Sequence, residues 1–318
     1  MKRRLLALLF ALAPGLAAAQ AFPTKPVRWI VPFPPGGPAD LLARGVGQKL
    51  GEMWGQAVVV ENKPGAAGNL GVDFAAKSAP DGYTLVVVPT GNIAVNPALF
   101  PNLPYKASDL APVTLMATVE NVLVVNPGVP AKNLQELVAL ARAKPGSLSF
   151  ASPGAGSQAH LAGEAIKAGA GIELTHVPYK GTGPALNDLL GGSVSMMFSQ
   201  TSSALPHIKS GRLRAIASAA AHRSAVLPDV PTVAEQGFPG FEATSWYALM
   251  VPAGTPPAVI AKLHDDTVQV LKLPELREKL ASLGAEAVGN SPAELAAIIQ
   301  RESTRWAEVI RKQGLKPE

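Results

Sequence analysis

The sequence contains no cysteine in its 318 residues. The protein therefore has no disulfide, no thiolate metal site, no cysteine nucleophile and no cysteine to carry a lipid anchor. Aromatic residues make up only 5% of the chain, whereas glycine and proline number 30 each, so turns are many and backbone atoms are accessible. The five histidines show no H-E-x-x-H or H-x-H spacing, and we expect neither a metal site nor a cofactor.

The chain also lacks a strong net charge when its first 21 residues are not counted. Residues 1–21 combine a basic start, an apolar stretch too short to span a bilayer comfortably, and small residues near the end. This pattern is typical of a secretory signal peptide, and we expect cleavage after Ala19 or Ala21. Removing its three basic residues leaves 25 basic against 23 acidic residues, a balance of +2. That balance indicates no nucleic-acid or anionic-membrane partner.

The first third of the mature chain alternates strands and helices. The pattern predicts strands at Val27–Val31, Ala57–Asn62 and Thr84–Val88, with helices over about Leu41–Met53 and Leu70–Lys77 between them. This is the rhythm of a doubly wound α/β sheet with parallel strands. In such sheets ligands bind outside the carboxyl ends of the strands, so the loops that follow the strands are the candidate sites.

A second strand–helix series predicts a second lobe. We expect the chain to cross between lobes near Glu120–Asn121 and near Ala243–Trp246, with late helices closing back onto the first lobe. The predicted division is residues 22–121 plus 245–318 for lobe 1 and residues 122–244 for lobe 2. The later predicted strands are Val113–Val119, Val122–Val125, Leu148–Ser152, Glu173–Pro178, Val194–Phe198, Leu213–Ala217 and Trp246–Val251. The later predicted helices are Leu134–Arg142, His160–Ala168, Ala185–Leu190, Leu205–Ser210, Ala258–Leu271 and Pro292–Ile310.

The loop between the first strand and the first helix, Val31–Asp40, is a candidate anion site. Gly36 and Gly37 let the backbone approach a guest closely, and Pro38 suits the first turn of a helix. Free N–H groups at the positive end of a helix favour a carboxylate. An ordinary strand-to-helix turn is the alternative. Asp40 could cap the helix, and its fixed negative charge would then compete with an anion.

Other strand-end loops carry similar groups. Pro89–Asn92 offers a hydroxyl, a glycine and an amide, and Ser152–His160 offers two glycines at the start of a helix. Val177–Ala185 adds the Thr182 hydroxyl and the Lys180 charge, and the loop at residues 199–203 is acid-free and rich in hydroxyls. Plain loops and a solvated surface amine are the alternatives. The aromatic residues that could line a pocket or belong to the core are Tyr179, Phe198, Trp246 and Tyr247.

The Ser152–His160 loop also permits two enzymatic interpretations. Gly154, Gly156 and Ala159 fit the loose G-x-G-x-x-A dinucleotide pattern, but Glu173 stands at the start of the next strand, where a ribose-binding acid belongs at its end. Ser157 and His160 suggest a hydrolase, but no G-x-S-x-G elbow surrounds the serine. A small-anion cradle and a helix cap explain the same residues without catalysis, and we expect the protein not to be an enzyme.

Eight motifs, in order, span nearly the whole mature chain. They resemble those of the Bug-type extracytoplasmic solute receptors of tripartite tricarboxylate transporters. The motifs are Lys25–Val27, Pro32–Gly37 with Asp40, Glu61–Gly65, Pro80–Leu85, Gly156–Ser157 with His160–Glu164, Val177–Gly181, Pro231–Gly237 and Pro252–Pro256.

The resemblance implies a two-lobed α/β periplasmic binding protein of type II-like architecture, with the ligand in a cleft between the lobes. It implies capture of a small carboxylate, such as an amino acid, a di- or tricarboxylate or an aromatic acid, through backbone amides and bound waters. It also implies a monomer in the periplasm that serves the membrane permease of a tripartite transporter. The residues expected to bind the ligand are Phe33, Pro35, Gly36, Gly37, Asp40, Thr90, Asn92, Ser152, Gly154, Gly156, Ser157, His160, Pro178, Tyr179, Lys180, Gly181, Ser199 and Thr201.

The chain departs from the family pattern at two positions. Ser195 and Ser199 stand where the family often carries acids, one inside the strand predicted at Val194–Phe198 and one just after it. Losing an acid beside the cleft would favour a more negative ligand, or one without an amino group. On this hypothesis Ser199→Asp weakens carboxylate binding in calorimetry.

Two rival functions remain open at this stage. An orphan sensor-type receptor would report to a signalling partner, and genomic neighbourhood would separate it from a transport receptor. An exported hydrolase would use Ser157 and His160. Ser157→Ala separates that rival, because a receptor keeps its fold and loses only affinity whereas a hydrolase loses turnover.

Overall fold

The computed structural model of the protein describes residues 22–282 and 284–315. The predicted signal peptide, residues 1–21, lies outside the described residues. The strands are β1 (Val27–Val31), β2 (Val58–Asn62), β3 (Thr84–Pro89), β4 (Leu110–Val119), β5 (Asn121–Val125), β6 (Ser149–Ser152), β7 (Thr175–Pro178), β8 (Met196–Gln200), β9 (Arg214–Ser218), β10 (Ser245–Pro252) and β11 (Ala285–Ala287).

Helices alternate with these strands as the sequence predicted. They are α1 (Pro38–Trp54), α2 (Asn69–Ala76), α3 (Asn96–Leu99), α4 (Leu134–Ala143), α5 (Gln158–Ala170), α6 (Thr182–Gly191), α7 (Thr201–Lys209), α8 (Pro257–Leu271), α9 (Pro274–Ala281) and α10 (Pro292–Gln313). A π-helical turn, Gly91–Val95, precedes α3, and 3₁₀ turns lie at Ala66–Gly68 and Ala107–Asp109. Within the described part of the chain, no helix combines the length and the apolar character needed to cross a membrane.

The strands form two sheets, which confirms the α/β fold class. The first sheet has the order β11-β4-β10-β3-β1-β2 and the second the order β7-β6-β8-β5-β9. In the first sheet β1 pairs in parallel with β2 and β3, as the βαβ rhythm requires, and β10 pairs antiparallel with β3 and β4. In the second sheet β6 pairs in parallel with β7 and β8, whereas β5 lies antiparallel to β8 and β9.

The chain passes from one sheet to the other twice. Strand β4 ends in the first sheet at Val119 and β5 begins in the second at Asn121, while β9 and β10 make the return crossing. Asn121 ties the two crossings together, because its side-chain amide donates to the carbonyl of Ala243 and, at 3.0 Å, to the hydroxyl of Ser245. The first crossing between sheets is at Glu120, and the second lies between Ser218 and Ser245.

Each face of the first sheet is covered by helices. Alternate residues of β1, such as Trp29 and Val31, pack with α1 and α8, and Ile30 packs on the opposite face with α2 and α10. Trp29 is fully buried. At roughly 25 cal/mol per Å² of apolar surface removed from water, burial of this side chain is among the larger single contributions to the stability of this sheet.

Three short elements were not predicted. Helix α9 buries only Leu276 and Leu280, so its apolar signal is weak. Strand β11 has only three residues and pairs with the edge of β4. The four-residue helix α3 continues a π-helical turn, which has no sequence periodicity of its own. The start of α1 is also earlier than predicted, at Pro38, because proline fits the first helical turn.

Candidate functional site

A cavity of about 450 Å³ lies between the carboxyl edges of the two sheets. Its walls are the loops that follow β1, β3 and β6, the first turns of α6 and α7, which follow β7 and β8, and the start of β10. The residues that line it are Phe33–Ala39, Leu41, Ala67, Pro89–Asn92, Asn96, Pro153–Gln158, Thr182–Pro184, Leu186, Gln200, Ser202, Ser203, Ser245 and Tyr247. This is the position that a doubly wound sheet predicts for a ligand.

Four regular helices begin at this cavity. Gly37 is the N-cap residue of α1, Ser157 that of α5 and Gln200 that of α7, while Thr182 is the first residue of α6, and all four line the cavity. The π-helical turn that leads into α3 also starts at the wall, at Gly91. The first turn of a helix has N–H groups without intrahelical partners, and each helix start carries a partial charge of about +0.5. The wall is therefore electropositive.

The cavity wall is nevertheless free of formal charge. Among the described residues that line it, there is no Asp, Glu, Lys, Arg or His. An anion there would be held by backbone N–H groups and neutral side chains. Such hydrogen bonds to an ionised acceptor are shorter and roughly twice as strong as neutral ones.

Asp40 lies behind this wall, in the first turn of α1 and not at its N-cap position. Gly37 is the N-cap residue and receives no side-chain hydrogen bond, whereas Asp40 is buried and points towards Arg44, Asn62 and the Gly36 backbone. The Gly36 N–H donates to Asp40 Oδ2 at 3.0 Å. The N–H group of Gly36, which the sequence predicted to be available to an anion, therefore donates to Asp40.

Thr90 and Asn92 line the cavity but use their side chains to hold its wall. The Thr90 hydroxyl accepts from the Trp246 N–H at 2.9 Å and donates to the carbonyl of the same residue at 3.2 Å. The Asn92 amide donates to the carbonyl of Ala67 at 3.0 Å and to Asn69 Oδ1 at 2.9 Å. What these two residues present to a guest is therefore mainly backbone.

The Ser152–His160 loop divides into lining and supporting residues. Gly154, Gly156 and Ser157 line the cavity, whereas Ser152 and His160 lie behind it, fully or nearly fully buried. Ser157 caps α5, since its hydroxyl accepts from the His160 N–H at 3.3 Å. That confirms the helix-cap interpretation of this serine.

Two stacked histidine rings support the loop from behind. The rings of His160 and His176 lie 4.2 Å apart, and Ser152 Oγ contacts His176 Nε2 at 2.7 Å. Burial, with the nearby charge of Lys167, lowers the pKa of His176 to about 4, so this ring is neutral near pH 7. Nδ1 of His160 accepts from the Gly156 N–H at 3.2 Å, and this bond orients a lining glycine.

We expect His160→Leu to lower ligand affinity about five- to tenfold, because the buried N–H of Gly156 loses its acceptor. His160→Asn keeps an oxygen near the position of Nδ1 and should bind within about twofold of wild type. Calorimetric titration of both variants with one carboxylate measures this, with circular dichroism as the check on folding. Equal losses in the two variants would show that ring packing, and not the acceptor, matters.

Strand β8 presents a different residue to the cavity from the one predicted. Ser199 is fully buried within β8, outside the lining, and its hydroxyl donates to the Gln200 carbonyl at 3.3 Å. Thr201 is also buried outside the lining, and its N–H donates to the carbonyl of Glu120 at 2.8 Å. Ser199→Asp would therefore bury a carboxylate in a strand and report on folding. Since side chains alternate along a strand, the neighbouring Gln200 faces the cavity instead.

The Pro178–Gly181 loop lies away from the main cavity. Pro178, Tyr179 and Lys180 line a neighbouring cavity, and Gly181 packs against Pro34 so closely that a Cβ there would lie 3.1 Å from Pro34 Cδ. The Tyr179 hydroxyl donates to Asp188 at 2.7 Å. Burial and that carboxylate raise the pKa of Tyr179 to about 12, so the phenol remains a donor.

Several lining residues were not among those predicted to bind. A polar chain crosses the cavity from one sheet to the other: the Thr182 hydroxyl donates to Gln200 Oε1 at 3.3 Å, and Gln200 Nε2 donates to the Tyr247 hydroxyl at 3.0 Å. Gln200 lies in the hydroxyl-rich loop at residues 199–203, and Tyr247 is one of the aromatic residues that could line a pocket. The sequence therefore contained a signal for both residues. Ala67 and Ser245 come from segments that carry no such signal.

Glycines allow the walls of the cavity to meet across the two sheets. A Cβ on Gly91 would lie 2.7 Å from the carbonyl oxygen of Gly156, which is closer than real Cβ contacts allow. A Cβ on Gly154, where φ is 142°, would lie 3.0 Å from the Cβ of Ala67. These approaches place backbone of one sheet directly against backbone or small side chains of the other, around the cavity.

The chain is similar to a described family of receptors. Residues 42–315 match the model of the TctC family, described as "Tripartite tricarboxylate transporter family receptor". Among curated proteins, the chain is 42% identical over 320 residues to Protein BugT of Bordetella pertussis, covering 98% of each chain.

Solved structures share the fold over almost the whole chain. The periplasmic binding protein BugD is 35% identical with a TM-score of 0.89, covering 93% of this chain and 100% of that one. The structure "R. palustris Rpa4515 with adipate" is 34% identical with a TM-score of 0.90, again covering 93% of this chain and 100% of that one. The fold is thus that of periplasmic binding proteins.

Proposed function

The chain belongs to the tripartite tricarboxylate transporter receptor family, and we propose that it captures a small carboxylate between two lobes and delivers it to a transporter of that kind. The observation that carries the proposal is the cavity where four helices begin and whose described lining contains no charged side chain. An anion suits such a wall, because the positive ends of the helices lie there and the described lining contains no acidic side chain. One related structure carries adipate in its name, which supports the ligand class.

The two sheets supply the parts that such a receptor needs. We propose that each sheet is the centre of one lobe, with the bounds predicted from the sequence, and that the two crossings form the hinge. Closure would expel water from the cavity and shift a pre-existing open–closed equilibrium. Export to the periplasm, a monomeric state and a permease partner complete the proposal. Catalysis is not needed, and the Ser157 hydroxyl serves as a helix cap.

The charge of the wall favours a dianion without an ammonium group. Four helix starts, each with a partial positive charge of about +0.5, lie around the cavity, so two carboxylates of one ligand can each lie at a helix start. An ammonium group would face these positive ends with no described carboxylate in the lining to pair with it. We therefore propose that the ligand is a dicarboxylate rather than an amino acid.

Matched ligand pairs test this choice. We expect succinate and glutarate to raise the melting temperature in a thermal-shift assay, and aspartate and glutamate to raise it far less, since a ligand stabilises only in proportion to its binding of the native state. Gln200→Glu places a carboxylate between Thr182 and Tyr247, both of which can donate to it, and should shift the preference towards the amino acids. The dianion proposal fails if the amino acids match the dicarboxylates in wild type.

The same screen separates the rival functions. A chain that no carboxylate stabilises is not a carboxylate receptor of any kind. A hydrolase using Ser157 would lose turnover in Ser157→Ala, whereas a receptor keeps its fold, loses about 1 kcal/mol of stability with the cap of α5, and changes in affinity. A sensor-type receptor would bind equally well, and co-purification with a permease or with a sensor kinase distinguishes the two.

A further inference from the structure

The side chain of Tyr247 joins the core of the first sheet to the cavity. Tyr247 lies in β10 and is buried, and its ring packs in the same core cluster as Trp29 and Val31. The residue also lines the cavity, and its hydroxyl oxygen lies 3.0 Å from Nε2 of Gln200, another lining residue. The strand and the core therefore fix the position of this hydroxyl oxygen.

The hydrogen bonds around this hydroxyl have a definite direction. The Thr182 hydroxyl donates to Gln200 Oε1 at 3.3 Å, and Gln200 Nε2 donates to the Tyr247 oxygen. A tyrosine hydroxyl can accept hydrogen bonds and has one hydrogen to donate. Among residues 22–282 and 284–315, none accepts that hydrogen from Tyr247. Burial raises the pKa of Tyr247 above its ordinary value, so the phenol keeps the hydrogen at neutral pH.

The same arrangement recurs one step along β10. Ser245 also lines the cavity, and since side chains alternate along a strand it lies on the same side of β10 as Tyr247. Its hydroxyl oxygen accepts from Asn121 Nδ2 at 3.0 Å. Asn121 and Gln200 are directly opposite each other on β5 and β8, so neighbouring amides of the second sheet donate to neighbouring hydroxyls of the first. The polarity at Tyr247 thus belongs to a regular junction between the two sheets.

A ligand oxygen is the acceptor that this junction suits. A buried donor without an acceptor is costly, and an ionised carboxylate is a pure acceptor that makes stronger hydrogen bonds than a neutral oxygen. An ammonium group can only donate, so it cannot accept the hydrogen of Tyr247. The hydroxyl therefore favours a carboxylate over an ammonium group at this wall.

Building on the proposed function, we infer that Tyr247 donates its hydroxyl hydrogen to a carboxylate oxygen of the ligand and that Gln200 positions this hydroxyl. The carboxylate becomes the last acceptor in a chain that starts at Thr182 and passes from the second sheet to the first. Hydrogen bonds in such a chain polarise and strengthen one another, so ligand binding also strengthens the junction between the sheets.

Two substitutions separate donation to the ligand from support of the junction. Tyr247→Phe and Gln200→Met both remove the bond between the sheets, but only Tyr247→Phe removes the hydrogen that the ligand accepts. In calorimetric titration with succinate and with glutarate, we expect about a tenfold loss of affinity in Tyr247→Phe and about a threefold loss in Gln200→Met. Succinamide, whose oxygens are neutral, should lose less than succinate in Tyr247→Phe.

Tyr83→Phe is the matched control, because it removes the same single oxygen. The Tyr83 hydroxyl accepts from the Thr24 N–H at 3.0 Å and lies outside the cavity lining, so the affinity of this variant should stay within about twofold of wild type. The melting temperature of each ligand-free variant checks its folding.

Three results would overturn the assignment while the proposed function stands. No loss in Tyr247→Phe would mean that the ligand does not accept from this hydroxyl. Equal losses in Tyr247→Phe and Gln200→Met would mean that the hydroxyl only joins the sheets. A larger loss for succinamide than for succinate would mean that the hydroxyl accepts from the ligand. If wild type binds neither dicarboxylate, the proposed function itself fails, which is a separate result.

Discussion

Gly91→Ala should lower the affinity for a carboxylate ligand by about ten- to a hundredfold. The added Cβ would lie 2.7 Å from the carbonyl oxygen of Gly156, a backbone atom that cannot rotate away. Overpacking of this kind costs about 1 to 3 kcal/mol when the surroundings cannot give. Gly91 and Gly156 belong to loops of different sheets, so moving the sheets apart relieves the conflict and opposes closure on the ligand.

Gly183→Ala is the matched control for this change. Gly183 also lines the cavity and lies in the first turn of α6, but a Cβ there would meet no atom within 4 Å. Its affinity should stay within about twofold of wild type, since an added methyl group without a contact changes little. Calorimetry gives the two affinities, and small-angle scattering shows whether ligand still compacts each protein. Equal affinities in the two variants would remove the proposed role of this close approach.

Asp40→Asn should lower the free energy of unfolding by about 2 to 3 kcal/mol. Both carboxylate oxygens of Asp40 are acceptors: Oδ1 from Asn62 at 2.9 Å and Oδ2 from the Gly36 N–H at 3.0 Å, with Arg44 Nε within 3.1 Å of both. An asparagine must turn its NH₂ group towards one of these donors in either orientation. The loss is smaller than for a fully buried pair because Arg44 is half exposed.

Asp73→Asn provides the comparison on α2. Asp73 forms an ion pair of the same i, i+4 spacing with Lys77, Nζ to Oδ1 2.7 Å, but the lysine is largely exposed. Its loss should be about 0.5 kcal/mol. Urea denaturation followed by circular dichroism measures both changes. Similar losses would mean that the buried network around Asp40 has no special importance for stability.

The same network gives a pH dependence with a definite sign. Burial alone raises the pKa of Asp40, but hydrogen bonds from Arg44, the Gly36 N–H and Asn62, with the charge of Arg44, together hold it below its usual value. A carboxyl whose pKa is depressed in the folded state stabilises the protein above its unfolded pKa of about 3.9, and this contribution is lost as the pH falls through the folded pKa. The difference between wild type and Asp40→Asn should therefore shrink in acid, below about pH 4.

The sequence predicted the frame of the molecule because the frame follows from local pattern. Strand β1 was placed at its observed bounds, and the apolar runs on either side of Glu120 correctly predicted the end of β4 and the start of β5 to within one residue. The cavity followed from the rule that ligands bind beyond the carboxyl ends of the strands, and Gly36, Gly154 and Ser157 do line it.

The individual contacts depended on details that such patterns do not contain. Strand β8 continues to Gln200, two residues beyond the predicted end, so Ser199 lies inside the strand, and the alternation of side chains turns Gln200 towards the cavity instead. The approach of Gly91 to Gly156 joins segments more than sixty residues apart, and no local signal indicates it. Lys180 lines the neighbouring cavity together with the turn at residues 65–68, an arrangement that no local pattern indicates.

Calorimetric titration of the purified protein with a dicarboxylate and with its uncharged diamide is the most direct test of the central claim. Succinate and succinamide have nearly the same shape, and only the first can accept charge-assisted hydrogen bonds from the helix starts. The account predicts that the acid binds at least about tenfold more tightly than its diamide, for succinate or for a longer homologue. A tenfold difference in affinity corresponds to about 1.4 kcal/mol, which a charge-assisted hydrogen bond can supply. Equal affinity for acid and amide, or no binding of any dicarboxylate, would contradict it.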